Sequence, residues 1–199
     1  DGDGIGDFQG IIEKLDYLND GDPTTSNDLG ITGIWLMPIT ESPSYHGYNT
    51  TDYYTIEPDY GNMEDFEEFL EEAHSRGIKV IIDLVLNHTS SQHPWFQQSS
   101  NSQNNFRNWY IWNDNNPANT GPWGQTVWHY NQGNYYYGLF WSGMPDLNFE
   151  HQEVKQEMKN VANFWLNKGV DGFRLDAIKY LVENGPNLEN TPATFSLIE

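Results

Sequence analysis

Ile78-Lys-Val-Ile-Ile-Asp-Leu-Val-Leu86 is β-branched and almost wholly apolar. The run is strand length, and its apolar residues are consecutive rather than alternate, as in a strand buried on both faces of a parallel sheet. Upstream, Met63 to Ser75 is rich in Glu, with Phe66, Phe69, Leu70 and Ala73 forming an apolar stripe; the spacing predicts a helix that Gly77 stops. Before it, Gly33-Ile-Trp-Leu-Met37 predicts a second buried strand ending at Pro38. Phe8, Ile11, Ile12, Leu15 and Leu18 carry helical spacing. Downstream, Val154 to Leu166 predicts a helix starting near Glu150. Val170 to Leu175 predicts a strand interrupted by Asp171-Gly172. The order helix, strand, helix, strand, long insert, helix, strand predicts an α/β fold with a parallel sheet.

The insert from Thr89 to Gly143 holds only two charged side chains, Arg107 and Asp114. It carries Trp95, Trp109, Trp112, Trp123, Trp128 and Trp141, with Tyr110, Tyr130 and Tyr135 to Tyr137. It is too long for an ordinary loop and too aromatic for a disordered linker, so it predicts a small irregular subdomain.

Nine basic against 29 acidic residues leave a net charge of −20 over 199 residues. That charge disfavours nucleic acid and anionic membranes as partners and suits a neutral or cationic ligand. A saline habitat would leave the same mark. No apolar run approaches the ~18 residues of a membrane span. With no cysteine, disulfide and thiolate chemistry are excluded. The chain opens on Asp1-Gly2-Asp3 inside a ligand-loop pattern, so residues preceding it are expected. Secretion is favoured, but the compartment stays open.

In parallel α/β folds functional groups gather at the C-terminal ends of strands. Here those ends carry Asp83, Asn87 and His88, then Arg174 and Asp176, while His46, Gly47 and Tyr48 follow the Gly33 strand. Arg174 and Asp176 alternate on one strand and share a face. An Asp beside a guanidinium stays ionised, which suits a nucleophile better than a general acid. Asp83 can hold Arg174, His88 can donate to a sugar hydroxyl, and Tyr48 offers a flat face. An Arg-Asp pair on a strand is more often a structural ion pair. Three polar strand ends on one side of one sheet favour a site. Separately, Asp1, Asp3, the Ile5 carbonyl and Asp7 follow the every-other-residue rhythm of a calcium loop, with Gly4 at the turn. No Glu stands at the twelfth position, which argues against a regulatory EF-hand. An ordinary Asp/Gly turn is the alternative.

Asp-Leu-Val-Leu-Asn-His (Asp83 to His88), Gly-Phe-Arg-Leu-Asp-Ala-Ile-Lys-Tyr (Gly172 to Tyr180) and Met-Pro-Asp-Leu-Asn (Met144 to Asn148) together resemble the α-amylase family of glycoside hydrolases. Gly47-Tyr48, Asp52-Tyr53-Tyr54 and Tyr60-Gly61 fit the same family. The resemblance runs from Asp1 to Glu199. It implies a (β/α)8 TIM barrel, incomplete in this chain. Residues 1–88 would be its first part, 89–149 an irregular inserted domain after the third barrel strand, and 150–199 its continuation. It implies retaining action on an α-glucan or maltooligosaccharide, with Asp176 as nucleophile and Arg174 as its partner. His88, His46 and Tyr48 would bind sugar, Asp83 would anchor Arg174, and Lys179 and Tyr180 would lie toward the leaving group. The aromatic residues of the insert would either stack on sugars or pack its own core. The resemblance also extends a structural Ca2+ to the Asp1 loop, and a second calcium site to Asn87 and Asp146. Tyr45-His46-Gly47-Tyr48 is similar to an endo-acting α-amylase, whereas related α-glucosidases place an acidic residue near Tyr45. Met-Pro-Asp-Leu-Asn is similar to a group of mixed specificity.

A retaining glycosidase needs a second carboxylate ~5 Å from the nucleophile. The family takes it from the next strand. Glu199 is the local candidate, but Thr191-Pro192 predicts a helix N-cap, placing Glu199 on a helix and leaving no room for another strand. Residues 1–199 alone are therefore expected to be inactive. Other readings are an exo-acting α-glucosidase or oligo-1,6-glucosidase, a silent glucan-binding homologue, and a calcium-binding structural protein.

Overall fold

The computed structural model describes residues 4–183 and 189–198. In chain order its elements are helices α1 (Phe8–Ile12) and α2 (Leu15–Leu18), strands β1 (Gly33–Leu36), β2 (Thr40–Glu41) and β3 (Asp52–Ile56), helix α3 (Met63–Ser75), strand β4 (Lys79–Val85) and helix α4 (Pro94–Ser99). Strands β5 (Trp112–Asn113), β6 (Trp128–Asn131) and β7 (Asn134–Tyr137), helix α5 (Gln152–Lys168), strand β8 (Gly172–Asp176) and helix α6 (Pro192–Ile198) follow. The chain divides into two compact units. One comprises Asp1–Glu41, Asp52–Leu84 and Val161–Arg174, the other Ser42–Thr51, Val85–Asn160 and Leu175–Glu199.

The first unit is built on the sheet β1-β4-β8, in which β1 and β4 run parallel from Gly33 opposite Lys79 to Leu36 opposite Ile82. The central β4 is buried along Val80, Ile82, Asp83 and Leu84, as its continuous apolar run predicts. Strand β1 departs from the expected burial: Trp35 is 51% and neighbouring Met37 55% exposed. Trp35 and Met37 alternate onto one face of the strand, which is open among the described residues, whereas Ile34 and Leu36 on the other face are partly covered. The Arg174 guanidinium lies 5.4 Å from the Trp35 ring centroid.

Helix α3 has the predicted limits. The Asn62 side chain accepts from the N–H groups of Glu64 and Asp65, and Asp65 accepts from the Asn62 N–H, a capping box. At the other end Gly77, at φ +74°, lets Ile78 N–H reach the Ala73 carbonyl (3.0 Å) and its own N–H the His74 carbonyl (2.9 Å). The predicted Phe8-to-Leu18 helix is instead two short ones. Lys14 (φ −107°, ψ −2°) breaks the α geometry, and its N–H bonds three residues back to Ile11. Phe8 packs against Phe66 at 5.1 Å, Phe66 meets Trp165 edge-on, and the Trp165 indole N–H donates to the Tyr53 carbonyl at 2.9 Å. Strand β8 begins at Gly172 rather than Val170, because Asp171 is spent on anchoring. Its carboxylate accepts from Val80 N–H and pairs with Lys79 and His74. Burial opposes its charge, but those three partners win and hold it at about 2.

In the second unit the insert forms an antiparallel sheet in the order β5-β7-β6. Most of its aromatic residues pack one another: Phe96 stacks on Trp112, Trp95 meets Trp109, and Arg107 covers Trp112 at 4.1 Å. Helix α6 starts where Thr191-Pro192 predicts, with the Thr191 hydroxyl accepting from Thr194 N–H. Glu199 lies outside the described residues. Among them, no helix is long and apolar enough to cross a membrane.

Candidate active site

Four predicted site residues, His46, Tyr48, His88 and Asp176, line one cavity of about 340 Å³, a size ordinary for small-ligand pockets (~300–1,000 Å³). Asp176 is the last residue of β8. Ala177 then takes a left-handed conformation (φ +50°) that ends the strand, at a cost of about 1–2 kcal/mol for a residue with a Cβ. Ala177 packs against a cluster of Val127, Tyr137, Leu139 and Tyr180.

His88 lies just past β4. The Met144-to-Asn148 segment runs alongside: Leu147 N–H donates to the Asn87 carbonyl (2.8 Å) and Thr89 N–H to the Pro145 carbonyl (3.1 Å). Asp146 is buried and accepts from the Asn87 amide (2.9 Å) and Leu139 N–H (3.0 Å). That motif therefore ties the end of the insert to the segment Asn87-His88-Thr89. His88 is 1% exposed, and its Nε2 lies 2.9 Å from the Tyr48 carbonyl. That bond needs the proton on Nε2. The sequence suggests that His88 donates to a sugar hydroxyl, but any sugar would share an N–H already directed at Tyr48. Burial pushes the His88 pKa down to about 4, against the opposing pull of the Asp176 charge and the Tyr48 carbonyl. His88 is neutral at pH 7.

The loop carrying His46 and Tyr48 turns at Gly47, φ +77°. His46 Nδ1 accepts from Tyr48 N–H at 3.1 Å, which places a neutral imidazole's proton on Nε2. The two rings lie 6.0 Å apart, 29° from parallel.

In the first unit Arg174 Nη1 donates to both carboxylate oxygens of Asp83, at 3.1 and 3.0 Å. The Asp83 side chain is fully buried, while that of Arg174 is 40% exposed. The expected anchoring of Arg174 by Asp83 is present. Lys179 and Tyr180 do not line the cavity. Lys179 pairs with Glu189 at 2.6 Å, and Tyr180 is buried in the core cluster, with its ring edge toward Phe140.

Of the expected calcium donors, Asp1 and Asp3 lie outside the described residues. Ile5 is 45% exposed, and Asp7 caps α1 by accepting from Gly10 N–H at 2.7 Å. One carboxylate and one carbonyl are too few to test a calcium cage. Asn87 and Asp146, the other suggested pair, hydrogen-bond to each other. Asp146 and Glu183 have carboxyls pushed up by burial, a property suited to a general acid, but neither lines the cavity.

Residue patterns missed the cavity's apolar wall: Phe140, Trp141 and Met144. Its signal was the aromatic pair just before the Met-Pro-Asp motif. Asp176 is the one carboxylate among the described lining residues. The cavity thus combines one aspartate side chain, imidazole and phenol groups, and an apolar wall, a set that suits a polyhydroxylated ring.

A family model described as the catalytic domain of alpha amylase matches residues 1–197. The chain is 51% identical over 185 residues to Alpha-amylase 3 of Dictyoglomus thermophilum, covering 92% of this chain and 35% of that protein. It is 44% identical over 187 residues to the oligo-1,6-glucosidase of Heyndrickxia coagulans, covering 89% and 32%. Among solved structures, the α-amylase from H. orenii matches with a TM-score of 0.86 at 55% identity, over 98% of this chain and 39% of that one. The chain spans about a third of the length of these curated relatives.

Proposed function

This chain belongs to the α-amylase family, and from that premise we propose that the protein carrying it is a retaining glycoside hydrolase cleaving α-1,4-glucosidic bonds in starch-like glucans. The observation that carries this reading is the convergence of Asp176 with His46, Tyr48 and His88 on one cavity. In the reaction an Asp176 oxygen attacks the anomeric carbon. The glycosidic oxygen leaves with a proton from a second, protonated carboxyl group supplied by the longer protein, and that group then takes a proton from the water that releases the sugar from Asp176 with net retention. Neutral His88 holds the Tyr48 loop through its Nε2–H and stays uncharged beside the cavity. Arg174, fixed by Asp83, keeps a positive charge on the strand that ends in Asp176.

Product analysis on starch, maltose and isomaltose tests the reading in the intact protein. We expect short maltooligosaccharides released first as α-anomers, with isomaltose a poor substrate. Preferred cleavage of isomaltose would move the assignment to an oligo-1,6-glucosidase, and initial β-anomers would contradict retention. Glucan binding without any product would identify a silent homologue.

We also propose that Asp1, Asp3, the Ile5 carbonyl and Asp7 hold a structural Ca2+, which would offset the mutual repulsion of these carboxylates. Millimolar calcium should then raise the melting temperature of the intact protein, and Asp3→Asn should remove the rise. An unchanged melting temperature would contradict the site.

A further inference from the structure

Residues Trp141, Ser142, Gly143 and Met144 form a tight turn closed by Met144 N–H donating to the Trp141 carbonyl at 3.0 Å. The Tyr136 hydroxyl donates to the Ser142 carbonyl at 2.6 Å, and Ser91 N–H donates to the Gly143 carbonyl at 2.9 Å. Two successive carbonyls of the turn, those of Ser142 and Gly143, are therefore tied to other parts of the insert. The indole of Trp141 is folded onto Gly143: a Cβ at position 143 would lie 2.2 Å from its Cζ2 and 2.3 Å from its Cη2. Gly143 is not among the positive-φ glycines, so its backbone would accept any residue. The ring, not the turn, requires glycine there.

Trp141 is nevertheless 50% exposed and borders the cavity that contains Asp176. Most tryptophans of the insert are occupied with one another or with its core. This one instead rests its ring against Gly143 and stays half exposed while lining the cavity. A ring fixed in this way loses little conformational freedom when a ligand covers it, so more of the contact appears as affinity. The flat C–H face of a pyranose suits such a surface, and the −20 charge of the chain does not oppose a neutral sugar.

Building on the glycosidase reading, we propose that Trp141, seated on Gly143, is a sugar-stacking platform for the glucosyl unit adjacent to the one attacked by Asp176, and so sets the preference for oligomeric over single-ring substrates. The test compares kcat/KM for maltotetraose with that for α-glucosyl fluoride, which carries only one ring, in the intact protein. Trp141→Ala should lower the ratio of the two by about tenfold, mostly through KM for the longer substrate. Trp141→Phe should restore most of the ratio, and Gly143→Ala, which displaces the indole without removing it, should lower it. An equal loss on both substrates, or an unchanged ratio in Trp141→Ala at an unchanged melting temperature, would overturn the proposal. If Trp141→Ala fails to fold, Gly143→Ala and Trp141→Phe decide by the same ratio. A wild-type protein that processes neither substrate would refute the glycosidase reading itself, a different result from a wild type active on both with a ratio that ignores Trp141.

Discussion

His88 is buried with no room for a positive charge, and this makes the stability of the protein depend on pH. Its folded pKa, about 4, lies below the ordinary 6.5, so in acid the unfolded chain binds the proton first. The contribution is fully present above pH 6.5 and is lost as pH falls toward 4, a difference on the order of 3 kcal/mol. Asp146 and Glu183 work in the opposite sense: their raised carboxyl pKa values add stability in acid that is lost as pH rises. Replacing His88 by Gln should therefore flatten the fall in melting temperature between pH 6.5 and 4. An unchanged slope in the variant would show that His88 is not the buried neutral group described. The polar half of the cavity lining was legible in the sequence, because each of its members stands at the end of a strand, just past one or in a loop that follows one. The apolar wall was not. Trp141 is one of six tryptophans in the insert, and nothing in the order of residues says which rings pack inward and which face a cavity. Tyr180 illustrates the same limit from the other side, since its motif neighbours suggest ligand contact while its ring fills a core.

Helix α3 shows how far local chemistry reaches. Its capping box and terminal glycine are all local, and its predicted limits coincide with the observed ones. No atom lies within 4 Å of where a Cβ at Gly77 would stand, so a side chain there meets only the backbone penalty of φ +74°. Gly77→Ala should cost about 1–2 kcal/mol, read from the midpoint of chemical denaturation, and a shift of less than a few tenths would contradict the left-handed cap. Elements whose limits depend on distant partners were read less well. The start of β8 is set by Asp171 reaching Val80, His74 and Lys79, none of them near it in sequence. The exposure of β1 depends on which of its faces is covered, and the break at Lys14 on backbone angles that apolar spacing does not encode.

Across the molecule, the two units interleave along the chain, each assembled from three separate segments. Contiguous stretches of sequence do not express such an arrangement. The α-amylase family implies a (β/α)8 barrel, and this chain contributes the strands β1, β4 and β8 to it. A few strands leave sheet edges unpaired and cannot close a barrel. With one carboxylate among the described lining residues of the cavity, turnover is proposed for the longer protein rather than for these residues alone. If Asp176 is the nucleophile, a trapped intermediate reveals it without reference to the identity of the second carboxyl group. The intact protein would be incubated with a fluorinated α-glucosyl fluoride that forms a slowly hydrolysed glycosyl–enzyme, then digested with trypsin and analysed by mass spectrometry. A sugar adduct is expected on the peptide Leu175-Asp176-Ala177-Ile178-Lys179, located on Asp176. An inactivated protein with that peptide unmodified, or an adduct on any other carboxylate, would contradict it.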